Sequence, residues 1–111
     1  MQQRMTTERV AVSIGLMDAL DLVRRAEALG YESVWTGEGQ GLAAFGKLER
    51  WATVTDTVGL GASIVNVFSR SPAALAQEVA TLDVHSGGRA SLGLGVAHPG
   101  VVEGVHGMAF E

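Results

Sequence analysis

Short apolar runs rich in β-branched residues alternate along the chain with longer stretches whose apolar residues recur every three or four positions, and glycine marks most of the changes between them. The first run, Arg9-Val10-Ala11-Val12-Ser13-Ile14-Gly15, predicts a strand. A helix follows, with Asp18 placed to cap it, Asp21 in its first turn, Leu22, Val23, Ala26 and Leu29 along an inward face, and Gly30 at its end. Arg24, Arg25 and Glu27 fall on the opposite, solvated face. Residues 31–36 predict a second strand. Residues 42–57 predict a second helix that turns Phe45, Leu48, Trp51 and Ala52 inward, against the low helix propensity of Gly46. Residues 58–65 predict a third strand, in which Gly59 and Gly61 leave room for a neighbouring backbone. Ser71-Pro72 is a strong helix start, because serine caps well and proline at the first helical position gives up an amide that had no partner. Leu75, Val79 and Leu82 then mark a buried stripe, Ser86-Gly87-Gly88 stops the helix, and residues 90–96 predict a fourth strand. From Ala97 onward Pro99, Gly100, Gly104 and Gly107 break any period and predict loop.

Four strand-helix alternations predict one domain over residues 1–111, an α/β layer of parallel strands joined by right-handed crossovers. A small doubly wound sheet and an incomplete (β/α)8 barrel share that pattern, and periodicity does not separate them. Glycine spacing argues against a dinucleotide fingerprint. Gly59-Leu60-Gly61 has Ile64 where a third glycine belongs, Gly93-Leu94-Gly95 has His98, and both pairs sit inside predicted strands rather than at a strand-to-helix turn.

Composition narrows the choice of function. The 12 acidic and 8 basic residues are scattered and leave a net charge of -4, so no basic stripe faces a nucleic acid. The absence of cysteine removes disulfides, thiolate zinc ligands and thiol nucleophiles. No apolar run reaches membrane-spanning length and residues 1–9 lack a signal-peptide centre, so the expectation is a cytoplasmic protein without a membrane partner. His85, His98 and His106 show no established metal-ligand spacing, and no metal is expected.

The unusual polar residues fall just past the C-terminal ends of the predicted strands: Glu38 after the second, Asn66, Ser69 and Arg70 after the third, His98 after the fourth. That edge is where loops of α/β layers converge and ligands bind. Taken singly, Glu38 is as well explained as a solvated loop acid and Arg70 as a surface charge; the five together on one rim favour a site.

Three stretches carry a family resemblance: residues 59–73 (GLGASIVNVFSRSPA), residues 80–89 (ATLDVHSGGR) and residues 92–96 (LGLGV). Ala26-Glu27-Ala28-Leu29-Gly30-Tyr31 leading into Val34-Trp35-Thr36-Gly37-Glu38, and Val102-Glu103-Gly104 leading to Gly107, extend it. Over residues 9–111 the chain resembles the luciferase-like monooxygenase superfamily, most closely its branch of oxidoreductases dependent on the deazaflavin coenzyme F420. The resemblance implies the parallel (β/α)4 half of a TIM-type barrel. It also implies a non-prolyl cis peptide at Ser63-Ile64, whose bulge bears on one face of the cofactor ring. Carried over by position, Glu38 contacts the cofactor, Asn66 follows the bulge, and the backbone of Val96-Ala97 passes the ring. His98 falls where sugar-phosphate dehydrogenase relatives carry a catalytic glutamate, and an imidazole can exchange a proton near neutral pH. Glu38 and His98 are therefore the expected catalytic residues, and Glu38, Ser63, Ile64, Asn66, Val96 and Ala97 the expected cofactor contacts. Gly39 stands where those dehydrogenases have a catalytic histidine, and Val105 where many relatives have an aromatic residue.

Barrels of this kind run to about 250 residues. The expectation is thus an N-terminal half-barrel with exposed sheet edges that associates with itself or with a complementary half-barrel chain. The implied activity is hydride transfer between F420 and an unidentified small organic substrate. FMN-dependent monooxygenation is one alternative, and a non-catalytic half-barrel scaffold or truncated remnant is another.

Overall fold

A computed structural model describes residues 9–15, 19–38 and 41–111. Its elements run β1 (Ala11–Ser13), α1 (Leu20–Ala28), β2 (Ser33–Thr36), α2 (Ala44–Ala52), β3 (Gly59–Asn66), α3 (Pro72–Ser86), β4 (Ala90–Gly95) and α4 (Pro99–Gly104). The strands form one parallel sheet in the order β1-β2-β3-β4. A doubly wound sheet reverses its strand order at a switch point, whereas barrel strands follow one another around the wall. The unbroken sequential order is that of a barrel wall.

The register separates two faces. Val12, Val34, Leu60 and Ala90 share one row, and Val34 and Leu60 are fully buried with Val23, Leu48, Trp51 and Leu82 from the helices. On the other face Ser13, Trp35, Gly61 and Ser91 share a row of mostly small residues, with Ser13 and Ser91 exposed. A Cβ on Gly61 would lie 2.3 Å from the Trp35 ring, so this glycine accommodates an indole rather than the neighbouring backbone expected from sequence. Trp35 Nε1 donates to Ser33 Oγ at 2.8 Å, which satisfies the one polar atom of that indole.

Several expectations are corrected. Leu22 and Leu29 are 57% and 66% exposed, because α1 buries only Val23 and Ala26. The two leucines instead line a groove beside edge strand β1 with Val12, Ile14 and Tyr31. Asp18, the expected cap of α1, lies outside the described residues. Helix α2 ends at Ala52, five residues early, where the hydroxyls of Thr53 and Thr55 bond the carbonyls of Arg50 and Trp51. The segment after Ala97 holds a short helix, α4, with Pro99 in its first turn and Gly104 as its last residue, so both apparent breakers sit at ends where a helix tolerates them. Glu27 is not a solvated charge. Its Oε2 accepts from the amides of Asp56, Thr57 and Val58 at 2.8, 2.6 and 3.0 Å and holds the turn that leads into β3. Other signals are realised as read: Ser71 Oγ accepts from the Ala74 amide at 3.1 Å, and Gly87 ends α3 with φ of 72°.

Candidate functional site

The site is assembled at the C-terminal ends of β2, β3 and β4. Beyond β2, Glu38 turns toward the start of α2, whose N-cap residue Ala43 has no side chain able to cap it. Glu38 Oε2 supplies the missing acceptor to the Ala44 amide at 3.1 Å. Arg70, beyond β3, grips the same carboxylate with two parallel bonds, Nη1 to Oε1 at 2.8 Å and Nη2 to Oε2 at 2.6 Å. Its Nε donates to Glu78 of α3 at 2.6 Å, and its guanidinium lies 5.3 Å from the centre of the Phe45 ring. One arginine thus ties together the β2 loop, α2 and α3. The side chains of Glu38 and Arg70 are only 14% and 17% exposed, so the pair is largely removed from bulk water. Burial alone would raise the Glu38 carboxyl. The hydrogen bonds from Arg70 and Ala44, the guanidinium charge and nearby His106 outweigh it and hold Glu38 below the usual carboxylate range. Hydrogen bonding to Glu38, against partial burial, raises Arg70 above its ordinary value.

Beneath this clasp Lys47 of α2 is buried at the end of β2, donating to Thr36 Oγ1 at 2.7 Å and to the Gly37 carbonyl at 3.1 Å. On the next strand, Asn66 Oδ1 accepts from the Phe68 and Ser69 amides at 3.0 and 2.9 Å, fixing the turn that delivers Arg70. Strand β3 breaks register with β4 between Ala62 and Val65, and the Ser63-Ile64 peptide within this bulge is cis, as the resemblance implied. Gly95 lets Ile64 lie against β4, because a Cβ there would fall 2.3 Å from Ile64 Cδ1. A Cβ on Gly37 would fall 2.6 Å from the Ser63 carbonyl oxygen. Ala97, just past β4, holds φ of 56°, a left-handed conformation unusual for a residue with a Cβ.

These elements enclose a cavity of about 360 Å³ lined by Glu38, Ile64, Asn66, Ala97, His98, Val101 and His106. Five of the expected site residues meet here. Ser63 and Val96 are not part of the lining. A second cavity of about 280 Å³ lies on the other side of Glu38, against Leu42, Ser69 and Arg70. Glu38 and His106 belong to both. The chain after α4 folds back over this end: the Met108 amide donates to the Val102 carbonyl at 3.0 Å, and the Phe110 ring packs 5.0 Å from that of Phe68. Sequence reasoning placed Arg70 on the rim but not in the site, and considered His106 only as a metal ligand. It overlooked Lys47, whose signal was a lysine three residues after Ala44 and four before Trp51, on the inward stripe of α2.

A sequential parallel wall with a cavity at the C-terminal ends of its strands, floored by a bulge in β3, defines part of a (β/α)8 barrel with its ligand site in the usual place. The chain belongs to the luciferase-like monooxygenase family, whose match spans residues 2–111. It is 44% identical over 90 residues to a protein of Mycobacterium tuberculosis named as a coenzyme F420-dependent oxidoreductase, covering 81% of this chain and 26% of that one. The coenzyme F420-dependent tetrahydromethanopterin reductase of Methanopyrus kandleri superposes with a TM-score of 0.81 at 28% identity, over 92% of this chain and 30% of the reductase. An F420-dependent secondary alcohol dehydrogenase, solved with an F420-acetone adduct, gives a TM-score of 0.75 at 25% identity, over 90% of this chain and 36% of the dehydrogenase. The chain spans about a quarter of the length of the curated relatives it matches. Among the described residues no helix is long and apolar enough to cross a membrane.

Proposed function

We propose that this chain forms the N-terminal wall of an F420-dependent oxidoreductase, which moves hydride between the deazaflavin and a small organic substrate. The observation that carries the reading is the convergence of Ile64, Asn66, Ala97 and His98 on one cavity at the strand ends. A deazaflavin is a flat ring system with apolar faces and a polar edge. Ile64 and Val101 offer it apolar contact, while Asn66 and His98 stand where a polar rim would need partners. The group itself would supply a carbon centre that accepts or gives up hydride. The residues supply the rest. Ile64 would support one face of the ring, and the backbone at Ala97 would flank it. His98 is placed to exchange a proton with substrate.

Glu38 belongs to this site as a positioning residue. Both of its oxygens are engaged by Arg70, and one also by Ala44, so it fixes the cavity wall while remaining ionised. Ser63 and Val96 act in the same proposal through their backbone, beside the ring seat. The exposed edge of β1 and the small-residue face of the sheet are proposed to meet the rest of the barrel, whether from the same gene product, a complementary chain or a second copy. A cytoplasmic location is part of the same reading.

Titration of the full gene product with F420 and with FMN, following cofactor fluorescence, tests the assignment. Micromolar binding of F420 with at least tenfold weaker binding of FMN is expected. The reverse preference favours FMN-dependent monooxygenation, and binding of neither favours a scaffold. Light scattering of the isolated 111-residue chain tests the association, and a monodisperse monomer at micromolar concentration overturns it.

A further inference from the structure

The start of α2 grips the exit of β2 at two points. Ala44 offers its amide to the Glu38 carboxylate, and Lys47, three residues further along, donates to the Gly37 carbonyl and the Thr36 hydroxyl at 3.1 and 2.7 Å. The Thr36 hydroxyl passes the link on to the Gly15 carbonyl beyond β1 at 3.0 Å. Lys47 is only 3% exposed and Thr36 is fully buried, so the bond between them is shielded from water. Removing a lysine head from water is costly, and a methionine of similar length would fill the same place on the buried face of α2 with Ala44, Leu48 and Trp51. What the lysine adds is direction: its hydrogen bonds fix the Gly37 peptide. That peptide is itself a bearing surface. A Cβ on Gly37 would meet the Ser63 carbonyl oxygen and the Ile64 nitrogen at 2.6 and 3.4 Å, so the exit of β2 lies directly against the β3 bulge. Ile64 is thus seated between Gly37 on one side and Gly95 on the other, and it lines the larger cavity.

We infer that Lys47 is a positioning residue: through the Gly37 peptide it sets where the β3 bulge, and with it Ile64, stands in the wall of the larger cavity. Lys47 is not among the residues lining either cavity, so it acts through the backbone rather than by touching a ligand. Thr36, its other acceptor, pairs with Ala62, the residue at which β3 leaves its regular register with β4. The lysine therefore ties β1, β2 and α2 together at the level of the sheet where β3 departs from regular pairing. A flat ring resting on Ile64 is held only as firmly as the backbone beneath it, and a small displacement of the seat alters the distance and angle over which a group is transferred. That the ring is a deazaflavin rests on the function proposed above; the mechanical link from Lys47 to Ile64 does not.

Two measurements on the full gene product test the link: amide hydrogen exchange without cofactor, and F420 affinity followed by cofactor fluorescence. Lys47→Met should speed exchange between Ala62 and Val65 roughly three- to tenfold while leaving α3 unchanged. It should weaken F420 binding by roughly three- to tenfold as well, the scale of one lost hydrogen bond. Val23→Ala, a core truncation in α1, controls for general loss of stability and should change neither reading once corrected for the folded fraction. Thr36→Val takes away one acceptor of Lys47 and should shift both readings in the same direction by about twofold, whereas Thr36→Ser keeps the hydroxyl and should restore the parent values. If Lys47→Met does not fold, the Thr36 pair decides alone. Exchange at the bulge indifferent to Lys47→Met, or moved equally by Val23→Ala, overturns the inference, as does parent-like behaviour of Thr36→Val. The two readings fail separately. F420 binding that is indifferent to Lys47 sinks the positioning role alone, whereas Lys47-dependent exchange without F420 binding supports the link and removes the proposed cofactor.

Discussion

The two ends of the sheet use the same kinds of side chain in opposite ways. At the N-terminal end Glu27 and Arg89 finish on main chain. Glu27 collects three amides of the turn before β3, and Arg89 donates to the carbonyls of Ser86, Val58 and Thr55 at 2.6, 2.8 and 3.1 Å. At the C-terminal end Glu38 and Arg70 finish chiefly on each other and on Glu78. Charges spent on backbone lock loops in place. Charges spent on one another form a rigid wall, with cavities on both sides of it. Main-chain bracing is concentrated at the first end and the candidate site at the second, the division expected of a barrel.

Substitutions at each end should therefore separate folding from binding. The largest effect is expected from Arg89→Met, which strands the carbonyls of Ser86 at the end of α3 and of Thr55 and Val58 in the turn before β3, and should cost about 3 kcal/mol of unfolding free energy, read by urea denaturation. Loss of less than about 1 kcal/mol would remove the contrast between the ends. Next comes Arg70→Met. It leaves two acids without their partner and should cost about 2 kcal/mol while also weakening F420 binding, an effect that Arg89→Met should not share once corrected for the folded fraction. Glu27→Gln should cost about 1 kcal/mol, visible as a lower thermal midpoint at pH 7.

Both acids also predict a pH dependence. The partner hydrogen bonds, working against the burial that would raise them, hold Glu27 and Glu38 below their ordinary value of 4.5. A depressed carboxyl stabilises the fold above its unfolded pKa, and that stability is lost as pH falls through the folded value. Stability should thus decline progressively below about pH 4.5, and the decline should be shallower in Glu27→Gln. The smallest effect is expected at Ala97. Ala97→Gly relieves a left-handed residue and should raise stability by about 0.5 to 1 kcal/mol, while loosening the backbone beside the ring seat.

The strand-helix order, the Ser71-Pro72 start and the Gly87 stop were legible in the sequence because each rests on local chemistry. So was the rim, since position at a strand end needs only the strand. What could not be read were interactions across long sequence separations. Glu27 looks like any surface acid on an amphipathic helix until the turn 29 to 31 residues later is brought beneath it. Arg70 and Glu38 are 32 residues apart, and nothing local distinguishes a clasped pair from two solvated charges. The exposure of Leu22 and Leu29 was hidden for a related reason: periodicity finds an apolar face but not whether another element covers it. Helix α4 is hidden in the sequence because proline and glycine, which interrupt most helices, here mark its first turn and its last residue.

The placing of the two tryptophans has a practical consequence. Trp51 is fully buried between helices and sheet, whereas Trp35 lies half-covered across Gly61 on the opposite side. Their emission spectra should differ, with Trp51 in the blue and accessible to acrylamide only on denaturation, and Trp35 redder and readily quenched. Single-tryptophan versions of the chain thus carry two independent optical gauges: one for the integrity of the interior, the other for whatever comes to rest on the inside of the wall.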